Sequence, residues 1–235
     1  MTTTTTLDLQ RRLLALGYDV GKAGADGKYG DGTIGAFDAA LTHLAEFRGA
    51  ADIIKPSAPK PAAVIPADWM PDAKMQRVIC HWTAGQHKAS DFDRTHYHIL
   101  IEADGKLVRG KPSIKLNEKV VTGSGYAAHT LGCNTGSIGA SLCCMAGAME
   151  SPYVAGVAPM TRAQWDTLAA AVADLCRRYG IPVTDKTVLS HAEVQNNLGI
   201  KQKGKWDFTR LAFDPSVVGA KACGDLLRAA VKANL

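Results

Sequence analysis

Arg77-Val78-Ile79-Cys80-His81-Trp82-Thr83 is the stretch on which the architecture turns. Val78, Ile79 and Cys80 form an unbroken apolar run, too short for a helix, and the run closes on a histidine. Such a segment predicts a short buried strand that delivers His81 to its end. Working outward, residues 97–101 predict a second strand, and Asp104-Gly105 supplies a hairpin turn into Lys106-Leu107-Val108. A further strand is expected over 137–145, after a glycine-rich loop. The spacing of Trp165, Leu168, Val172, Leu175 and Cys176 predicts a helix over 162–179, with Thr161 as N-cap and Gly180 and Pro182 as its end. Val188-Leu189 then leads as a strand into His191. Strands mixed with helices in this order imply an α/β fold, a mixed central β-sheet flanked by helices.

The chain before residue 69 is of another kind. Leu9, Leu13, Leu14 and Leu16 have helical spacing, stopped by Gly17. A glycine-rich loop from Gly21 to Gly32 follows, and an apolar stripe of Ile34, Phe37 and Leu41 resumes on a second helix beginning near Thr33. Residues 48–68 shift to Ala, Pro and Lys, with Pro56, Pro59, Pro61 and Pro66 opposing any helix. The expected division is a helical module over 1–47, a linker over 48–68 and a larger domain over 69–235.

The chain has 235 residues and a hydrophobic content of 46%, which suffices for a buried core. Its net charge of +5 suits an anionic polymer, but the cations are scattered, which gives no support for nucleic acid as a partner. Residues 1–10 lack a basic cluster followed by an apolar stretch, and no window approaches the ~18 apolar residues of a membrane span. Neither a signal peptide nor a membrane anchor is expected. The six cysteines form no C-x-x-C pair, and we expect reduced, mostly buried thiols.

Of seven histidines, His81 and His191 end predicted strands, where a sheet edge holds side chains rigidly above a cleft. A catalytic zinc site takes three protein ligands and keeps a fourth position open. Asp207, in Lys203-Gly204-Lys205-Trp206-Asp207, is a third donor that would complete a mixed N and O set. No H-E-x-x-H helix is present, which argues against a zinc protease of that kind.

A run of motifs extends this site: His81-Trp82-Thr83-Ala84, Tyr97-His98-Ile99-Leu100-Ile101 with Asp104-Gly105, Ala128-His129, Asn134 with Ser137-Ile138-Gly139, Gln164, His191-Ala192-Glu193 and Lys205-Trp206-Asp207. In these pieces and their order the chain resembles the type 2 N-acetylmuramoyl-L-alanine amidases, the superfamily that includes peptidoglycan recognition proteins and phage lysins. The resemblance implies Zn2+ held by His81, His191 and Asp207, Lys205 as the cation facing a developing oxyanion, Tyr97 as a catalytic phenol and His129 as a substrate contact along the cleft. Many relatives place a glutamate as general base two residues after Ser-Ile-Gly; here Ser141 stands there, as in the phage branch. The base is unassigned, with Glu193 an outside candidate. His96 and His98 are expected on the opposite face from Tyr97, as core or ligand-orienting residues, and His43 and His87 on the solvated surface.

Leu9-Gln10, Leu16-Gly17-Tyr18, Asp26-Gly27-Lys28-Tyr29-Gly30 and Thr33 resemble the peptidoglycan-binding domain type 1, a three-helix module. Together the resemblances imply an endolysin of a phage or prophage. It would be made in the bacterial host cytoplasm, passed to the wall through a holin, and act as a monomer on bacterial peptidoglycan at the bond between N-acetylmuramic acid and L-alanine. The alternatives are a non-catalytic peptidoglycan recognition protein and a cytoplasmic amidase that recycles muropeptides.

Overall fold

The structure, a computed structural model, describes residues 5–54 and 63–235, those from 43 to 54 as helix backbone only. It divides into two compact units, Met1–Lys60 and Pro61–Leu235.

In the smaller unit, α1 (Thr6–Ala15) starts on a capping box in which Thr5 and Asp8 bond each other's backbone. α2 spans Asp31–Ile54, so helix occupies the first part of the expected linker. The glycine-rich loop between them is tied to one buried carboxamide. Gln10 Nε2 donates to Asp26 Oδ1 at 3.0 Å, Lys28 O at 2.9 Å and Thr33 Oγ1 at 2.9 Å, and Gln10 Oε1 accepts from Gly27 N at 2.7 Å. Leu13, Val20 and Ala36 form the small core. The expected stripe is out of phase with this packing. Ile34, Phe37 and Leu41 are exposed, while Thr33, Ala36 and Ala40 face inward, because small side chains admit close approach to α1. Two helices are found among the described residues, where the resemblance implied three. His43, Phe47 and the prolines at 56, 59 and 61 lie outside the described side chains.

The larger unit is built on a five-stranded sheet. Its strands are β1 (Arg77–Trp82), β2 (Ile99–Ile101), β3 (Leu107–Arg109), β4 (Ser137–Leu142) and β5 (Val188–Ser190), in the order β3-β2-β4-β1-β5. Only β3 runs antiparallel to its neighbour. Period-2 alternation divides β1 between two cores. Val78, Cys80 and Trp82 join the main cluster, whereas Ile79 packs with Cys133 and Val194 on the other side. His81 shares the Ile79 side.

α4 (Arg162–Tyr179) and α6 (Ala220–Ala233) pack on each other and cover the main core, and the short α3 (Asp91–His96) and α5 (Val194–Leu198) lie between strands in the chain. Thr161 and Gln164 form the capping box of α4, and Gly180 ends it in the left-handed conformation. Gln164 does more than cap: its Nε2 donates to Ile101 O at 3.0 Å and Cys143 O at 2.9 Å, joining α4 to the ends of β2 and β4. Upstream, Val64 N and Ile65 N both donate to Asp174 of α4, so the last part of the expected linker is fixed to the larger unit. A two-stranded ribbon, β6 (Arg210–Leu211) with β7 (Asp214–Val218), precedes α6. All six cysteines are free and buried. Among the described residues, no helix is long and apolar enough to cross a membrane.

Candidate metal centre and its cleft

Strand register assembles the centre. Cys80 of β1 pairs with Ser190 of β5 in parallel, so the next residue on each strand, His81 and His191, leaves the sheet beside the other. Their Nδ1 atoms are 3.0 Å apart. Asp207 arrives from the loop before β6, with Oδ2 at 3.5 Å from His81 Nδ1 and 3.6 Å from His191 Nδ1. All three residues are buried, and their candidate ligand atoms lie within 4.8 Å of one another. Phe208, with φ 64 and a fully buried ring stacked on Trp82, anchors the chain immediately after Asp207.

The donor set fits a zinc ion. Two imidazole nitrogens and one carboxylate oxygen converge on one point, which is the N and O composition of a three-ligand zinc site. The other nitrogen of each ring already has partners. His81 Nε2 lies 3.2 Å from His129 Nδ1 and 3.4 Å from Thr130 Oγ1, and His191 Nε2 lies 3.0 Å from Gln202 Oε1. Burial pushes the His81 imidazole down to about 4, so it is neutral at pH 7. Burial raises the Asp207 carboxyl, but its contacts with the two imidazoles outweigh this and hold it well below the ordinary carboxylate range. Two imidazoles, that of His81 neutral, facing an ionised carboxylate across so short a gap form an arrangement that a cation stabilises.

The Tyr97 ring lies beside His81, with centroids 5.2 Å apart. It does not begin a strand as expected; it closes α3, whose capping box joins Ser90 and Asp93. Burial, reinforced by the Asp207 carboxylate, raises the phenol well above its ordinary value and keeps it a hydrogen-bond donor. Ser141 neighbours that phenol, yet its buried Oγ makes no hydrogen bond of ordinary geometry.

A cleft of about 370 Å³ opens beside His191, bordered by Tyr126, His129, Asn134, Lys203 and Lys205. Lys205 is exposed at its mouth and has no ion-pair partner among the described residues. His129 borders this cleft but is itself buried and stands behind His81, where its ring occupies the space that Gly139 leaves on β4.

Glu193 is not brought to the centre. It is buried in an ion pair with Arg228 and accepts from Ser190 N at 2.9 Å, so both carboxylate oxygens are committed to the fold. A general base at Glu193 is therefore excluded by its partners. His98 is buried, its Nε2 at 3.1 Å from Asn117 Oδ1 and its Nδ1 accepting from Gly139 N, while His96 is on the surface against Phe92. His87 departs from the expected solvated position. It is half-buried, with Nε2 on Pro159 O at 2.8 Å, and so fastens the end of the 146–160 loop. Gln202 and Arg228 went unpredicted, although Gln202 carries a signal: it is the one uncharged, non-glycine residue from Lys201 to Lys205.

A family model described as N-acetylmuramoyl-L-alanine amidase matches residues 71–208, more than half of the chain. No curated protein matches. Among solved structures, the chain is similar to the endolysin N-acetylmuramoyl-L-alanine amidase LysCS of Clostridium intestinale URNW. The identity is 17%, the coverage 58% of this chain and 94% of that one, and the TM-score 0.34. It is also similar to the N-acetylmuramyl-L-alanine amidase AmiD of E. coli, solved with anhydro-N-acetylmuramic acid-L-Ala-D-gamma-Glu-L-Lys. There the identity is 21%, the coverage 58% and 52%, and the TM-score 0.38.

Proposed function

Because the chain belongs to the N-acetylmuramoyl-L-alanine amidase family, we propose that it is a zinc-dependent hydrolase of the endolysin kind. Family membership carries peptidoglycan amidase activity. The further reading is that the larger unit cuts between the lactyl group of N-acetylmuramic acid and L-alanine, and that the smaller unit holds the enzyme on the wall. Host-cytoplasmic synthesis and holin-dependent release complete that reading.

The observation that carries the zinc assignment is the convergence of His81 Nδ1, His191 Nδ1 and Asp207 Oδ2 within 4.8 Å in a buried pocket beside a cleft. A zinc ion held there supplies, when bound, the Lewis acidity that polarises a carbonyl oxygen and activates water. The chain's own groups do the rest. Tyr97 keeps its proton and donates a hydrogen bond to the carbonyl oxygen as negative charge develops on it. Lys205, exposed at the cleft mouth and without an ion-pair partner among the described residues, adds positive charge for the same oxygen. The cleft seats the substrate against His129 and Asn134, and the burial of His81 keeps bulk water from its ring. No carboxylate among the described residues stands at the place of the family's glutamate, which Ser141 fills.

The test is turbidity loss of purified cell walls with and without chelator, followed by chemical identification of the new ends. Release of L-alanine amino termini that disappears with chelator, and in His81→Ala and Asp207→Ala, is the expected result. New reducing sugar ends would refute the proposal.

A further inference from the structure

Gln202 is the buried member of an otherwise exposed basic stretch, Lys201 to Lys205. Its carboxamide is oriented without ambiguity. Nε2 lies 3.0 Å from Leu131 O and 3.3 Å from Ile200 O, and both of these oxygens can only accept. The NH2 end must therefore face them, which fixes an orientation that an isolated amide would leave open. Oε1 is then turned to His191 Nε2 at 3.0 Å. An amide oxygen only accepts, so His191 must carry a proton on Nε2, and in the ligating, neutral form of the ring the lone pair is then on Nδ1, the nitrogen that faces His81 and Asp207. The loop is held in turn from α5, because Gln202 N donates to Gln195 Oε1 at 2.9 Å.

We propose that Gln202 is the positioning residue of the metal site. Its locked carboxamide selects the Nε2–H tautomer of His191, fixes the ring plane and presents Nδ1 to the ion. The inference rests on the zinc reading above and extends it to a residue outside the ligand set. Groups that orient a ligating histidine through its second nitrogen typically contribute about 10–100-fold to metal affinity. Gln202 has the geometry for that role, and anchoring of the loop is its competing explanation.

Two variants separate the explanations. Gln202→Met removes both the acceptor and the loop anchor. Gln202→Glu keeps an oxygen acceptor for His191 but cannot donate to Leu131 O and Ile200 O. Zinc affinity of the full chain is measured by competition with a chromophoric chelator, with the melting temperature of the zinc-free protein recorded alongside. We expect Gln202→Met to weaken zinc binding by about 10–100-fold, and Gln202→Glu to recover a substantial part of that loss. Unchanged affinity in Gln202→Met overturns the inference alone, and so does a Gln202→Glu variant as weak as Gln202→Met, since the role would then be loop anchoring. A parent protein that binds no zinc overturns the zinc reading and the inference with it. A measurement that needs no variant is nitrogen NMR of the zinc-free parent, where His191 should be protonated on Nε2. A neutral ring with its proton on Nδ1 instead of Nε2 overturns the assignment.

Discussion

Arg228 grips Glu193 through a two-point fork, Nη2 to Oε1 at 2.9 Å and Nη1 to Oε2 at 3.1 Å, and both residues are almost wholly buried. The same guanidinium donates to Val188 O at 3.0 Å, so α6 holds both the strand that leads to His191 and the turn that follows it. Breaking one side of a buried pair leaves an uncompensated charge, at a cost of about 3–5 kcal/mol. Arg228→Met should lose stability of that order in urea denaturation, and Arg228→Met with Glu193→Met should regain much of it. A single variant as stable as the parent would contradict this account.

Tyr97→Phe and Lys205→Met should each lower kcat by about 10²–10³-fold, the effect of removing one oxyanion donor. Zinc content should stay at the parent level, because neither residue belongs to the proposed ligand set. Glu193→Gln should instead lose stability while its folded fraction keeps the parent's pH–rate profile. A shifted profile in that variant would restore Glu193 as a catalytic group.

Gly139 has no side chain where one would meet the His129 ring, since a Cβ there would lie 2.6 Å from its Cγ. Gly139→Ala should push that ring, which in turn backs His81 at 3.2 Å. Overpacking of this kind costs about 1–3 kcal/mol. A lower melting temperature together with weaker zinc binding is expected, and a variant unaltered in both would show that the ring can yield freely.

Burial pushes the His98 imidazole down to about 4, from an ordinary value of 6.5. The unfolded chain thus binds this proton more readily, and the stability held by neutral His98 is complete above about 6.5 and is lost as pH falls towards 4. Urea midpoints measured across that interval should fall with acidity in the parent and fall less steeply in His98→Gln. Equal slopes would place the titration elsewhere.

Much of this architecture is legible in local pattern. The helix over 162–179 has both caps and a one-sided apolar face, and the structure reproduces its ends, Arg162–Tyr179. The α/β class follows from β1 and its neighbours, because a buried strand needs an apolar run whatever surrounds it. Pairing and phase are less accessible. On α2 the large apolar residues point outward and small ones inward, which inverts the usual rule that size marks the core. Tyr97 sits where α3 meets β2, and a short helix of mostly polar residues leaves no apolar period to detect. Gln202 and Arg228 reach His191 and Glu193 across 11 and 35 residues, and no local pattern encodes such pairs.

His81 and His191 are separated by 110 positions in the chain and meet only when β5 docks on β1. Under the proposed zinc reading, metal capture is then linked to folding, since a partly made chain lacks the complete donor set. The site can be completed only after translation has passed Asp207, so a polypeptide that stops before that point has no centre to load.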